Sequence, residues 1–224
     1  AASDVYKRQV QTVVELCQQR LPDNMGIPAD QIQVLSPTRK GVCGTVNLNR
    51  ALQAALNPPA AGKHQKPWGD MVFREGDRVM QTRNNYDVVW EKDDGSMGAG
   101  IFNGDVGVIR EIDPSGELIT IQFDDRTCVY TADLLNQLDM AYAMTVHKAQ
   151  GSEYRCVVLV SAAVAPALMV RGVLYTAITR ARELLVLVGD DVAPGQMAAN
   201  DKQQRRYSGL RRRLREEAMS HGLQ

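Results

Sequence analysis

The 224-residue sequence has no excess of charge of either sign, because 26 lysines and arginines balance 26 aspartates and glutamates. Bulk charge therefore gives nucleic-acid binding no support, and any basic surface has to be local. None of the four cysteines forms a C-x-x-C pair or lies near a histidine cluster, which argues against a disulfide framework or a zinc site and suits a reducing, cytoplasmic setting. No apolar run approaches the roughly 20 residues of a membrane span, and no signal-peptide pattern opens the chain.

A phosphate loop of the form G-x-x-x-x-G-K-[ST], with which an ATPase holds its nucleotide, is also missing. The nearest string, AGKH at 61–64, has Asn57 in the place of the first glycine and His64 in the place of the hydroxyl. The aspartates at 190–191 follow an apolar strand, as magnesium-binding aspartates do, but we expect only the end of a last core strand there. The sequence therefore predicts neither a metal site nor an ATPase activity of this chain alone.

The first residues have an unusual sequence. SDVYKRQ at 3–9 resembles a translated sequencing-adapter scar. We therefore expect residues 1–9 to be non-native and the native sequence to open near Val10, inside a longer protein. The alternative is a genuine helix start capped by Ser3 or Asp4.

Apolar residues at helical spacing predict two helices in the first part of the chain, over about 8–21 and over 48–56. QIQVLS (31–36) is predicted as a strand between them. Residues 58–70 have no periodicity and are predicted as a loop.

From Asp77 the period changes to two, and turn residues separate short segments in which apolar and polar side chains alternate. Several short strands in about 55 residues predict a small antiparallel barrel. The predicted strands are RVMQTR (78–83), VGVIREI (106–112), LITIQF (118–123) and TCVYT (127–131).

The sequence then returns to an α/β pattern. CVVLVS (156–161) and LLVLVG (184–189) are continuous apolar runs, typical of strands that a parallel sheet buries on both faces. Between them a helix is predicted from an apolar stripe formed by Leu174, Ala177, Ile178 and Ala181.

Three segments lie where loops are expected to leave the core strands, the usual place for ligand contacts in an open α/β sheet. They are SPTRKG (36–41), TVHKAQGSEY (145–154) and LYTAITRAR (174–182). In this order they resemble motifs IV, V and VI in the C-terminal motor lobe of superfamily 1 DNA helicases of the RecD-like branch. The order and the combination are far more specific than any one segment.

The resemblance implies an α/β fold class: a RecA-like parallel-sheet lobe of the P-loop NTPase type, without the P-loop, that carries an inserted SH3-like antiparallel β-barrel. It covers nearly the whole chain from about Val10 to Asp190. GDRVMQTRNNYD (76–87) and FNGDVGVI (102–109) match the stretch leading into the insert. The expected domains are a discontinuous lobe (10–82 and 139–192), the insert (83–138) and a basic helical tail (193–224) that could touch DNA or another subunit.

The resemblance also implies that this lobe completes an ATP site with arginines. Arg180 resembles the motif VI arginine that reaches the γ-phosphate, and Arg39 is the corresponding catalytic candidate in motif IV; a guanidinium can stabilise charge on a transferring phosphoryl group. We expect Arg180 on an outward helix face. Gly151, which allows close backbone approach, and Glu153, which would accept from the ribose, resemble nucleotide-binding positions. ATP with Mg²⁺ would be bound mainly by an N-terminal lobe outside this chain.

A second set of residues is expected to hold single-stranded DNA. Hydroxyl, imidazole and ammonium groups donate to phosphate oxygens and so position a strand without reading its sequence. In motifs IV and V these groups belong to Thr38, Thr145, His147 and Lys148. At the mouth of the barrel, charge, amides and an aromatic ring suit a single-strand path, with an ordinary hairpin approach as the alternative. Those residues are Arg83, Asn84, Asn85 and Tyr86.

The predicted function of the parent protein is ATP-dependent 5′-to-3′ DNA unwinding. Its partners would be single-stranded DNA and the N-terminal lobe of the same protein, with no membrane partner. Three alternatives stay open: the helicase half of a conjugative relaxase, a non-catalytic DNA-binding module, and a peptide-binding SH3 module. The insert has few aromatic residues and no evident polyproline groove, which disfavours the last.

Overall fold

The computed structural model describes residues 2–201 together with Arg213 and Glu217. Most of the predicted basic tail lies outside the described residues. Residues 3–9 lie inside the first helix, which a π-helical turn at Leu16–Arg20 joins to the second. The α-helices are α1 (Ala2–Glu15), α2 (Leu21–Met25), α3 (Thr45–Leu56), α4 (Arg171–Ile178) and α5 (Val192–Ala199).

The β-strands divide into a parallel sheet, an antiparallel sheet and a separate two-stranded hairpin. They are β1 (Ile32–Ser36), β2 (Gln65–Trp68), β3 (Met71–Arg74), β4 (Arg78–Gln81), β5 (Asn85–Glu91), β6 (Met97–Ile101), β7 (Val106–Ile112), β8 (Leu118–Phe123), β9 (Arg126–Thr131), β10 (Leu138–Met140), β11 (Ala143–Thr145), β12 (Tyr154–Val160) and β13 (Ala181–Val188).

The parallel sheet has the order β11-β1-β12-β13, which agrees with the predicted α/β lobe. Its central strand β1 is buried throughout, as a strand covered on both faces should be. Two details of the prediction are wrong. The strand β13 forms the edge of the sheet, so that Leu187 is 45% exposed. The helix α4 ends at Ile178, which is exposed, and Ala181 already belongs to β13.

The antiparallel sheet of the insert has the order β10-β4-β7-β8-β9-β5-β6. Every predicted strand of the barrel is present in it. The strands β5 and β6 were missed, because glycines interrupt β6 and most of β5 is exposed and shows no apolar alternation. The loop predicted at 58–70 is also partly wrong, since β2 lies within it and pairs with β3.

A buried carboxylate, that of Asp77, lies directly before β4 and joins several segments of the chain. The side chain of Asp77 is fully buried and accepts four hydrogen bonds: from the amides of Gln53 (2.6 Å) and Asn57 (2.7 Å), the backbone N–H of Arg74 (2.7 Å) and the hydroxyl of Tyr142 (2.8 Å). Burial raises the pKa of Asp77, although these hydrogen bonds act in the opposite direction. The network therefore links α3, the β2–β3 hairpin and the segment leading into β11.

Arg78 ties the first strand of the insert to the core of the lobe. Its guanidinium donates to the backbone oxygen of Ile32 and the side-chain oxygen of Gln33, each at 3.1 Å. Gln33 is fully buried and donates in turn to the backbone oxygens of Ala141 (3.3 Å) and Tyr142 (3.2 Å), just after β10. The entry and the exit of the insert are therefore both fixed to β1.

The four cysteines are unpaired and buried. Burial raises the pKa of Cys17 to about 12 and that of Cys128 to about 11, so both are neutral thiols at physiological pH. Within the described part of the chain, no group of three or more histidine, cysteine or acidic side chains could hold a metal ion. No helix among these residues is long and apolar enough to cross a membrane.

Candidate functional site

The predicted site residues lie at two opposite edges of the parallel sheet. Ser36 and Thr145 pair at the carboxyl ends of β1 and β11, whereas Tyr154 opens β12 at its amino end. Ile32 pairs with Cys156, so Ser36 lies four residues further along the strand direction and Tyr154 two residues before. At the rise of a β-strand, the two levels are about 20 Å apart. The first is called the carboxyl edge below and the second the amino edge.

Arg180 lies at the amino edge, in the turn between α4 and β13. Its Nη1 donates to the backbone oxygen of Ser152 (3.0 Å), its Nε to that of Thr176 (3.2 Å) and its Nη2 to the hydroxyl of Thr179 (3.1 Å). The backbone N–H of Tyr154 donates to the oxygen of Arg180 at 2.8 Å. Motifs V and VI are thus joined by both the backbone and the side chain of Arg180.

The expectation that Arg180 points outward from a helix face is wrong. The helix ends two residues earlier, and the half-buried side chain folds back over the last turn. A guanidinium has five N–H donors, of which these contacts use three, so two stay available. No carboxylate of the described residues pairs with Arg180, which keeps its full positive charge for an anionic ligand.

Gly151 and Glu153 accompany Arg180 at this edge. Gly151 has a φ of +93°, a backbone conformation that favours glycine, and an added Cβ would meet no atom within 4 Å. Glu153 is exposed and makes no hydrogen bond or ion pair with any residue that the structure describes. Arg180 and Glu153 therefore place a guanidinium and a carboxylate with unused hydrogen-bonding capacity at the amino edge.

The motif IV loop at the carboxyl edge folds back over the start of α3. The hydroxyl of Ser36 donates to the backbone oxygen of Cys43 at 2.9 Å and accepts from the N–H of Thr38 at 3.2 Å. The N–H groups of Thr45 and Val46 donate to the oxygens of Thr38 (3.1 Å) and Arg39 (3.2 Å). These bonds satisfy N–H groups that a helix start leaves open, and they leave the Arg39 side chain exposed.

The motif V loop begins as a hydrogen-bonded turn. The N–H groups of Lys148 and Ala149 donate to the oxygen of Thr145, at 3.0 and 3.2 Å. Val146 and Ala149 are fully buried and anchor the turn. His147 is exposed between them, and Lys148 is half-buried.

One carboxylate connects the two motifs. Asp139 in β10 accepts from both terminal nitrogens of Arg39 (3.3 and 3.4 Å) and from Nζ of Lys148 (3.2 Å). Two cations face one carboxylate, so the cluster keeps an excess positive charge. Sequence reasoning missed Asp139, and no local pattern marks it, because it lies 100 residues from Arg39.

The predicted barrel-mouth residues form a second patch. Tyr86 is 68% exposed and packs edge-on against Phe102, with ring centroids 5.6 Å apart. Arg83 donates to the side-chain oxygen of Asn136, and Asn84 accepts from the backbone N–H of Asn103 at 3.0 Å. Phe102, which was not predicted at the site, therefore supplies the second aromatic ring.

The barrel-mouth patch is close to the carboxyl edge. The amide of Asn85 donates to the side chain of Gln137 at 3.0 Å, and the N–H of Thr82 donates to the backbone oxygen of Gln137 at 2.7 Å. Gln137 precedes Asp139 by two residues, or about 7 Å of extended chain. The structure therefore places the barrel-mouth patch beside the carboxyl edge, but it does not bring Arg39 to Arg180.

Gly44, the last residue of the motif IV loop, gives a test of how closely this loop packs on the start of α3. A Cβ at this position would lie 2.5 Å from the backbone oxygen of Lys40 and 2.6 Å from that of Arg39. We expect Gly44→Ala to displace this loop and to cost about 2 kcal/mol in the free energy of unfolding, measured by urea denaturation. Gly172→Ala, in α4, meets no atom within 4 Å and is the matched control; a cost as large there would contradict the clash argument.

Comparisons with known proteins agree with this architecture. Residues 48–123 match the family described as the SH3 domain of ATP-dependent RecD-like DNA helicases, and residues 140–188 match the UvrD-like helicase C-terminal domain. Along the chain, the first match precedes the second, just as the insert precedes the last part of the lobe. Together they define the class of protein to which the chain is similar, which is the C-terminal region of helicases.

Curated relatives narrow the class. The chain is 35% identical over 184 residues to the ATP-dependent RecD2 DNA helicase of Deinococcus radiodurans. The aligned residues cover 82% of this chain and 23% of that protein. The chain is 31% identical over 185 residues to the RecBCD enzyme subunit RecD of Mycobacterium tuberculosis, covering 83% and 29%. Over most of its length the chain is related to RecD-like helicases, as predicted, and it spans about a quarter of the length of these relatives.

Solved structures whose backbone can be superposed on this chain include Pif1 helicases. The Candida albicans protein has a TM-score of 0.48 and 13% identity, and covers 97% of this chain and 57% of its own. A Bacteroides Pif1 bound to single-stranded DNA has a TM-score of 0.46 and 14% identity, with 96% and 55% covered. At these values the likeness carries no argument about the site.

Proposed function

We propose that this chain is the half of an ATP-dependent DNA helicase motor that completes the nucleotide site at its amino edge and holds single-stranded DNA at its carboxyl edge. The observation that carries the proposal is the motif V segment, which runs from Thr145 and Lys148 at the carboxyl edge to Ser152 at the amino edge, where the backbone oxygen of Ser152 accepts from Arg180. One covalent segment thus contacts both groups of residues.

The amino edge fits the phosphate end and the ribose of a nucleotide held by another lobe. Arg180 offers two free donors and an uncompensated positive charge, and Glu153 is a free acceptor. ATP would supply the phosphoryl group, and Mg²⁺ would be bound by groups outside this chain. The role of Arg180 is to hold charge on that group. The contact predicted between Arg39 and the nucleotide stays a prediction. Arg39 lies at the carboxyl edge, whereas Arg180 lies at the amino edge.

The carboxyl edge fits the sugar–phosphate backbone of a strand. Arg39 and Lys148 present donors to phosphate oxygens, His147 and Thr145 add two further donors, and Tyr86 offers a ring on which a base can stack. Asp139 neutralises part of this charge in the free protein. A bound phosphate would therefore compete with Asp139 for the same two cations.

Binding of a labelled thymidine oligonucleotide, followed by fluorescence anisotropy, tests this interface. We expect Arg39→Ala and Lys148→Ala to weaken binding about fivefold each, since each removes a charged hydrogen bond of about 1 kcal/mol. Each should also lower the slope of log K against log salt by about 0.7. Asp139→Asn should strengthen binding, because it removes the competing charge. Lys92→Ala, whose lysine pairs with Asp125 in the insert, is the control.

The opposite signs make this test informative. A weaker complex in Asp139→Asn would mean that the carboxylate positions the cations for DNA, and equal losses in all variants would indicate unspecific charge effects. The 5′-to-3′ polarity and the cytoplasmic setting are further parts of the proposal. Polarity is measured by unwinding of partial duplexes with 5′ or 3′ overhangs, once the chain is joined to a lobe with a phosphate loop.

A further inference from the structure

We propose an additional nucleotide-sized contact for single-stranded nucleic acid, in the cavity between α3 and the β2–β3 hairpin. There Trp68 stacks on a base and Arg50 pairs with a phosphate. The proposal rests on the role proposed for the carboxyl edge in binding single-stranded DNA, and extends it to residues outside motifs IV to VI.

The cavity continues the carboxyl edge. It has a volume of about 560 Å³, and Arg39 and Asp139 form part of its wall. The first turns of α3 form a second wall, and the hairpin turn from Trp68 to Met71 forms a third. Lys148 does not line the cavity. A DNA strand whose phosphate contacts Arg39 would therefore enter the cavity on the side away from Lys148.

Trp68 is fixed by the hairpin and by the core. It pairs with Met71 across a two-residue turn in which Gly69 has a φ of +57°. It packs in part against the hydrophobic core and is half-buried, so ordering it on a ligand costs little additional entropy. The other tryptophan, Trp90, lies beside Lys92, whose ammonium is 5.6 Å from its ring. No ammonium or guanidinium of the described residues lies over Trp68 in this way.

Arg50 is the available cation of this cavity. It is exposed on α3 and makes no hydrogen bond or ion pair within residues 2–201. Two polar side chains of the cavity wall are committed elsewhere: Asn49 donates to the oxygens of Met140 and Ala143, and Gln53 donates to that of Val72 and to Asp77. An unpaired arginine beside a fixed tryptophan is the combination that sequence-independent single-strand sites use.

The two tryptophans allow a direct test on the intact chain. In the Trp90→Phe variant, Trp68 is the single tryptophan, and a stacked base quenches its emission. We expect a thymidine oligonucleotide to quench it with the same midpoint as the anisotropy change. Arg50→Ala should weaken binding about fivefold and reduce the quenching, with an unchanged melting temperature. Arg20→Ala, which removes an exposed arginine that pairs with Glu15 and does not line the cavity, should change neither.

The remaining outcomes separate the two proposals. One outcome is that Arg39→Ala and Lys148→Ala weaken binding, while the oligonucleotide does not quench Trp68 and Arg50→Ala does not change the affinity. In that case the carboxyl edge binds the DNA strand and the cavity does not. If ATP or thymidine monophosphate alone quenches Trp68 and the oligonucleotide does not, the cavity takes a free nucleotide and the proposal is overturned. Quenching by a poly-glutamate peptide would overturn it equally. If the oligonucleotide does not bind the chain at all, both proposals are overturned.

Discussion

Replacement of Arg180 by alanine is expected to abolish DNA-stimulated ATP hydrolysis, with a loss of about 10³-fold or more, when this chain is joined to a lobe that carries a phosphate loop. The guanidinium is tied to motif V through the oxygen of Ser152. Its loss removes the charge that holds the transferring group and also loosens that loop. Hydrolysis is measured with and without single-stranded DNA.

Two further variants make the Arg180 test specific. Arg180→Lys should restore little, because an ammonium cannot keep the contacts to Ser152 and Thr179 and still reach a phosphate. Arg182→Ala removes an exposed arginine two residues away and should leave hydrolysis unchanged. Oligonucleotide binding should persist in all three proteins. If Arg180→Ala hydrolyses ATP at the full rate, the chain is an inert DNA-binding scaffold.

Replacement of Asp77 is expected to cause the largest loss of stability. Asp77→Ala leaves four buried donors without an acceptor, at a cost on the order of 3–5 kcal/mol in the free energy of unfolding. Asp77→Asn should cost nearly as much, since one oxygen becomes an NH₂ group that faces two donors. Asp93→Ala, an exposed aspartate in the insert, should stay within about 0.5 kcal/mol of the parent. Urea denaturation followed by circular dichroism measures all three.

The titration of Asp77 adds a pH dependence to this expectation. Because burial raises the pKa of Asp77 in the folded protein, the folded state keeps a proton that the unfolded chain releases at lower pH. This contribution to stability is complete below the unfolded pKa and is lost as pH rises through the folded value. The stability difference between the parent and Asp77→Asn should therefore fall with pH and then level off. A difference that rises with pH would show that the four donors outweigh burial.

The sequence was informative where side chains carry a local pattern. The alternation in 118–123 and the apolar run at 156–161 predicted β8 and β12, and the three motif strings located both edges of the site. The end of α4 was not predictable from the stripe, because Ile178 and Ala181 fit a helical spacing that the turn at Thr179 interrupts. Apolar spacing does not show where a helix stops.

Contacts between distant segments were beyond the sequence. Nothing near Asp139 indicates that it meets Arg39 and Lys148, and nothing near Trp68 indicates a cavity, since both depend on how the insert and the hairpin pack on α3. The division of Arg39 and Arg180 between two edges follows in the same way from strand register, which no string of residues reveals.

The length of the motif V segment sets how the two edges can act on each other. Nine residue steps from Thr145 to Tyr154 reach at most about 30 Å when extended, and about 20 Å is needed along the strands alone. The hydrogen-bonded turn after Thr145 takes up much of the remainder. The segment is therefore close to its full length, and under the proposed function we expect a displacement of Ser152 to move Lys148 along the direction of the chain.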